Sequence, residues 1–273
     1  MLKAIKQARS AVGMLNPDEV GRRARQPVRI GLVAFDGAGY AAMEDFLAPA
    51  LDQVYRAGDP GVPDKVDLVL YQQGIACPQD AYVLRFDDPA ATVAEILRDH
   101  DDLELALARQ FAPFRKPVVE GIIHAVSREN AVFAVATALP NLVPSLGELP
   151  WAFGEFASDT AFLTANQVRM AFLIAAACGK EVGYSQRAAE ILSIVGGAFG
   201  WRALARELAG KIPFGGGIIP KGAIAYAGTY VVGKGLEHYH HAGKAYTRAQ
   251  RKEVYQAALE RGKAIVEAIR GKL

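Results

Sequence analysis

The stretch "AFDGAGYA", Ala34–Ala41, follows the apolar run "VRIGLV" and precedes "AMEDFLAPAL". A strand, a glycine turn and a helix start are a common place to hold a phosphate. Glycines let backbone N–H groups wrap the anion. The phosphate-loop pattern G-x-x-x-x-G-K-[ST] adds a lysine for the β- and γ-oxygens and a hydroxyl for Mg²⁺. Against that pattern Gly39 takes the second glycine and Ala34 the first, while Tyr40 replaces the lysine and Ala41 the hydroxyl. Gly37 and Gly39 keep the turn. Tyr40 supplies no ammonium, Ala41 no side-chain oxygen, and Asp36 adds negative charge inside the loop. These residues predict a strand–turn–helix that holds no cofactor.

A GTPase-type module also places D-x-x-G after a later strand. Here "DDPA" follows "AYVLRF". Asp87 stands at the magnesium-linked aspartate and Ala90 replaces the glycine. The guanine-reading N-K-x-D is absent, and the α/β part is too short for a complete G domain. Elsewhere, Glu237, His238 and His241 in "EHYHHAG" fall near one helical face and form a possible metal set, although the spacing is not a zinc signature. "FGGGIIPKG" reads as a hairpin turn between apolar helices. No Ser–His–Asp or Cys–His arrangement stands out, and aromatic residues are not interleaved with the basic ones, so nucleic acid is not an expected partner.

The elements that must position these residues divide the chain in three. Residues 1–26 read as two short basic helices. Leu2, Ile5, Val12 and Leu15 share a face in the first, and Asn16-Pro17 opens the second. Residues 27–112 read as α/β. "VRIGLVAF", "KVDLVLYQ" and "AYVLRF" are strands, the last two joined by a loop able to close a hairpin. "YAAMEDFLAPALDQVYRAG" is helical, as is "PAATVAEILRDHDDLELALARQF", broken near His100. Residues 113–273 read as all-helical. A long helix starts at Pro117, and "TAFLTANQVRMAFLIAAACG" is capped by Ser158 or Asp159 and ended by Gly179. Ser185 caps the next helix, and Thr247 opens an amphipathic last one. Ala225, Thr229 and Gly233 lie at the small-residue spacing that lets helices approach closely.

Composition narrows the class. The chain of 273 residues is 51% hydrophobic and 22% charged, enough to fill a core. Its net charge of +2 is uneven: residues 1–35 carry +5, 36–112 carry −10, 113–199 carry −1 and 200–273 carry +8. The basic ends suit either the acidic middle or an anionic membrane surface. Two cysteines, Cys77 and Cys178, suggest a reducing compartment. "MLKAIKQARSAVG" lacks an apolar core and does not read as a signal peptide. The longest uncharged run, 130–147, holds Pro140 and Pro144, and Arg169 interrupts 161–178, so a membrane span is not the expected reading.

The helical half, "SRENAVFAVATALPNLVPSLGELPWAFGEFASDTAFLTANQVRMAFLIAAACGKEVGY" with "GGAFGWRALARELAGKIPFGGGIIPKGAIAYAGTYVVGKGLEHYHHAG", resembles the YcjF-like, GTPase-associated family of unknown function. The resemblance covers about residues 118–245. It implies a GTPase-like ancestor for the part before it, or a bacterial protein associated with the inner membrane. The expected fold class is therefore α+β or mixed: a small truncated P-loop GTPase-like α/β module followed by a larger all-helical domain. The expected protein is a non-catalytic pseudo-GTPase-like scaffold in the cytoplasm, peripheral on the inner face of the cytoplasmic membrane or bound to a protein partner or to itself. A nucleotide-binding switch and an integral inner-membrane protein are the alternatives.

Overall fold

The computed structural model describes residues 15–49, 52–60, 62–63, 65–137, 159–194 and 218–271. The described residues combine many helices with one four-stranded parallel sheet. They fall into two compact units. One takes in Asp18–Glu120 with Ala175–Val182. The other takes in Met1–Pro17, Gly121–Ile174 and Gly183–Leu273.

The first unit holds α1 (Pro17–Arg25), β1 (Ile30–Val33), α2 (Gly37–Leu47), β2 (Val54–Arg56), β3 (Leu68–Gln72), β4 (Tyr82–Leu84), α3 (Pro89–Asp99) and α4 (Glu104–Gln110). The sheet order is β2-β1-β3-β4, with Ile30 level with both Val54 and Leu68, and Leu70 with Tyr82. Ile30, Leu32, Leu70 and Leu84 are buried against Met43, Leu47, Ile96, Phe111 and Phe114. Burying such side chains contributes roughly 1.5–3 kcal/mol each.

Two expectations are corrected. β3 and β4 run parallel, so residues 73–81 do not close a hairpin. Nine residues of chain reach about 30 Å, ample to return along a five-residue strand of roughly 17 Å. The helix expected to run from Tyr40 past Val54 stops at Leu47, and Val54 belongs to the edge strand β2. Pro49 accounts for the stop. A residue before proline is pushed out of the right-handed helical region, and Ala48 takes φ 40°. The break near His100 is present: His100 closes α3, and a short 3-10 turn, Asp101–Leu103, leads into α4.

In the helical unit the described elements are most of α5 (Ala112–Ala136), most of α6 (Asp159–Ala177), a helical segment over 188–194, α7 (Ile218–Ala242) and α8 (Arg248–Arg270). α5 begins five residues before Pro117, which lies inside it rather than at its front. Thr247 opens α8 as expected, with a reciprocal capping box to Gln250. After α6, Lys180 N–H donates to Ala175 O and Gly179 N–H to Ala176 O, the paired bonds of a glycine-ended helix. Thr229 and Gly233 are buried in the unit, Gly233 against Ile123 and Met170, whereas Ala225 is half-buried. Gly222, not singled out by spacing, meets Val266 and Val135. A buried polar chain joins the helices: Asn166 Nδ2 donates to Asn130 Oδ1, and Asn130 Nδ2 to Thr229 Oγ1, which donates to Ala225 O.

Among the described residues, no helix is long and apolar enough to cross a membrane. The first N-terminal helix, the Ser158 cap, Pro140, "GGAFGWRALARELAG" and residues 214–217 of "FGGGIIPKG" lie outside the described residues, and the rest of that stretch opens α7.

Candidate functional site

In open parallel sheets, ligands sit outside the carboxyl ends of the strands, where successive connections leave in opposite directions. From β1 the chain passes to β2 on one side, while β3 lies on the other. The carboxyl ends of β1 and β3 are therefore the place to look, and the octapeptide Ala34–Ala41 begins there.

Three of the loop's backbone donors have acceptors inside the protein. Asp36 caps α2, its Oδ1 accepting from Gly39 N–H at 2.8 Å. Tyr40 N–H donates to Asp36 O at 3.1 Å. From the end of β3, Gln72 Oε1 accepts from Phe35 N–H at 3.0 Å. The Gln72 amide lies so close to Gly39 that a β-carbon there would be 2.2 Å from Oε1. The carboxylate of Asp36 and the amide of Gln72 thus hold two N–H groups that a phosphate at this turn would need.

Tyr40, at the lysine position, is half-buried against the sheet core. Its ring lies under the Arg56 guanidinium, 5.5 Å from the ring centre. Arg56 forks onto Glu44 at 2.7 and 2.8 Å, a bidentate pair from the edge strand to α2. Hydrogen bonding to Arg56 pulls the Glu44 carboxyl below its ordinary value of 4.5, against the opposing effect of burial. The cation beside the loop is therefore already paired and stacked.

Asp87 and Ala90 lie after β4, Asp87 exposed. β4 is separated from β1 by β3, which puts "DDPA" roughly 10 Å across the sheet from the octapeptide. Asp88 rather than Asp87 holds the local structure, because its Oδ1 caps α3 through Ala91 N–H at 3.2 Å. Gln72 reaches the loop from the neighbouring strand instead. Sequence reasoning missed it, because a glutamine ending an apolar strand carries no motif.

The possible metal set does not assemble. Glu237 pairs with Lys234, His238 stacks on Tyr246 with ring centres 4.4 Å apart, and His241 is exposed. Among the described residues, no group of three metal-ligating side chains is placed to hold an ion. A different cluster does form in the helical unit. His124 Nδ1 lies 2.8 Å from Tyr226 Oη, and its Nε2 lies 3.1 Å from Arg261 Nη1. A guanidinium only donates. Nε2 is therefore the acceptor, and Nδ1–H donates to the tyrosine oxygen. Burial pushes the Tyr226 hydroxyl above its ordinary range. The cluster ties α5, α7 and α8 together.

No family model, curated protein or solved structure matches the chain.

Proposed function

We propose that this is a non-catalytic interaction protein. Its α/β unit is a pseudo-GTPase-like module that keeps the strand–turn–helix of a phosphate loop as a structural joint. Its helical unit supplies surface for a protein partner, a second copy or an anionic membrane. One observation carries the reading: Gln72 Oε1 and Asp36 Oδ1 accept the Phe35 and Gly39 N–H groups that a phosphate would have to capture. Tyr40 and Ala41, where a lysine and a hydroxyl would be needed, support it. So does the resemblance of the helical half to the YcjF-like, GTPase-associated family, which implies a GTPase-like ancestor for the part before it.

Calorimetric titration of the full chain with GTP, GDP and ATP, with and without Mg²⁺, tests it. The expected result is no saturable heat. Micromolar binding of any of the three would overturn the reading and restore the nucleotide switch.

A further inference from the structure

The helical unit contains a half-open cavity of about 320 Å³. It lies between the helical segment 188–194, the second half of α7 and the start of α8. That volume is at the small end of the range for ligand sites. Ile194, Val231, Val232 and Leu236 give it an apolar lining, which Ser193 and Tyr246 share, with Gly235 in its wall. A β-carbon at Gly235 would touch nothing within 4 Å.

The mouth has a different character. Arg251 lines it, and Arg248 stands one turn earlier on the same face of α8. Lys244 precedes the lining residue Ala245, and Lys252 follows Arg251; all four cations are exposed. From His238 to Lys252 the sequence contains no Asp or Glu. The positive end of the α8 dipole adds to the same field. One acid, Glu190, lines the cavity, but its side chain is only 9% exposed and its Oε1 accepts from Arg187 at 2.8 Å. One large ring, Tyr239, lines the cavity and is 45% exposed. A pocket with an apolar lining behind a cationic mouth is complementary to an anion that carries a hydrocarbon tail.

We propose that this cavity binds one amphipathic anion, an acyl chain headed by a carboxylate or phosphate. The tail lies along Val231, Val232 and Leu236, and the head meets Arg251. The proposal rests on the interaction reading above and gives the helical unit its partner chemistry. It does not depend on the closed loop, and the nucleotide titration reads that loop separately.

The test uses the full chain and two probes: decanoate in solution, read by calorimetry, and phosphatidylglycerol vesicles, read by flotation. Decylammonium and phosphatidylcholine vesicles are the controls. Gly235→Leu adds a side chain at a lining position where a β-carbon meets nothing within 4 Å, and it improves helix propensity. Arg251→Glu reverses the mouth charge at an exposed position. The expected result is anion-selective binding that each variant weakens by at least about tenfold, with helicity and thermal unfolding retained. Decanoate binding without flotation identifies a free acyl anion. Flotation that Gly235→Leu abolishes identifies a membrane lipid. Either supports the site. Equal binding of decylammonium, no binding of either anionic probe, or unchanged binding by Gly235→Leu would overturn it. In the last case surface charge alone would be responsible.

Discussion

Gln72 Oε1 occupies the space that a side chain at position 39 would need, 2.2 Å from the β-carbon that Gly39 lacks, while it accepts the Phe35 N–H at 3.0 Å. The glycine at position 39 therefore accommodates a side chain from a neighbouring strand of the same protein. Adding a β-carbon must displace the amide and break its bond, and it also crowds Ala34 Cβ at 3.1 Å. Gly39→Ala is expected to destabilise the protein by about 1–2 kcal/mol, because loss of the bond outweighs the gain in helix propensity. Gln72→Ala alone costs about 1 kcal/mol. Once Gln72 is alanine, Gly39→Ala costs much less. Urea unfolding of the four proteins of this cycle measures the coupling, and additivity would refute the contact.

Installing the motif residues is expected not to create a phosphate site. Tyr40→Lys with Ala41→Ser supplies the ammonium and the hydroxyl, yet Asp36 and Gln72 still hold the Gly39 and Phe35 amides. Calorimetry with GTP and Mg²⁺ should show no binding. The double variant should also be less stable by about 1 kcal/mol, since the Arg56–ring contact is replaced by two like charges. Micromolar affinity in the double variant would show that the loop opens readily.

Acid should act on the α/β unit through Glu44. Its folded pKa lies below 4.5 because Arg56 binds the charged form. The stabilisation is present above that ordinary value and is lost as pH falls through the lower folded one. Both side chains are partly exposed, 31% for Glu44 and 39% for Arg56, so solvent screening keeps the effect small. Glu104 has the opposite sign. Burial raises its folded pKa, with Asp101 adding to the rise and Arg23 opposing it. Its ionisation therefore costs stability as pH rises from 4.5 through the folded value. Melting temperatures across the acid range should show Glu44→Gln flattening the acid loss. Glu104→Gln should raise stability at neutral pH and leave it unchanged in strong acid. A Glu104→Gln protein that is less stable at neutral pH would contradict this.

Two glycines of α7 should respond oppositely to alanine. A β-carbon at Gly222 would lie 2.6 Å from Val266 Cγ2 and 2.8 Å from Val135 Cγ2, whereas one at Gly228 meets nothing within 4 Å. Gly222→Ala is expected to lose about 1–3 kcal/mol from overpacking. Gly228→Ala is expected to gain up to about 1 kcal/mol from helix propensity. Chemical denaturation of the two single variants decides it.

Local chemistry made much of the fold legible. Asn16-Pro17, Asp88-Pro89, His100 and Thr247 mark helix boundaries because capping is settled within four residues of chain. The short apolar runs in "VRIGLV" and "KVDLVLYQ" mark strands for the same local reason. The strand Val54–Arg56 was not legible: three residues carry no period, and the apolar spacing of the preceding helix runs into them. Nor was the direction of β4, which depends on where a nine-residue connection returns rather than on its composition.

The sequence by itself determined that the octapeptide lacks a lysine and a magnesium ligand, since those are residue identities. Only the tertiary structure decided what takes their place. Parallel pairing of β1 with β3 brings Gln72, 33 positions beyond Gly39 in the chain, against Gly39 and the Phe35 N–H. Pairing of β1 with β2 brings Arg56 over Tyr40 and onto Glu44. Hydrogen bonds and steric exclusion act over a few ångströms, and proximity across a sheet is set by strand order and register.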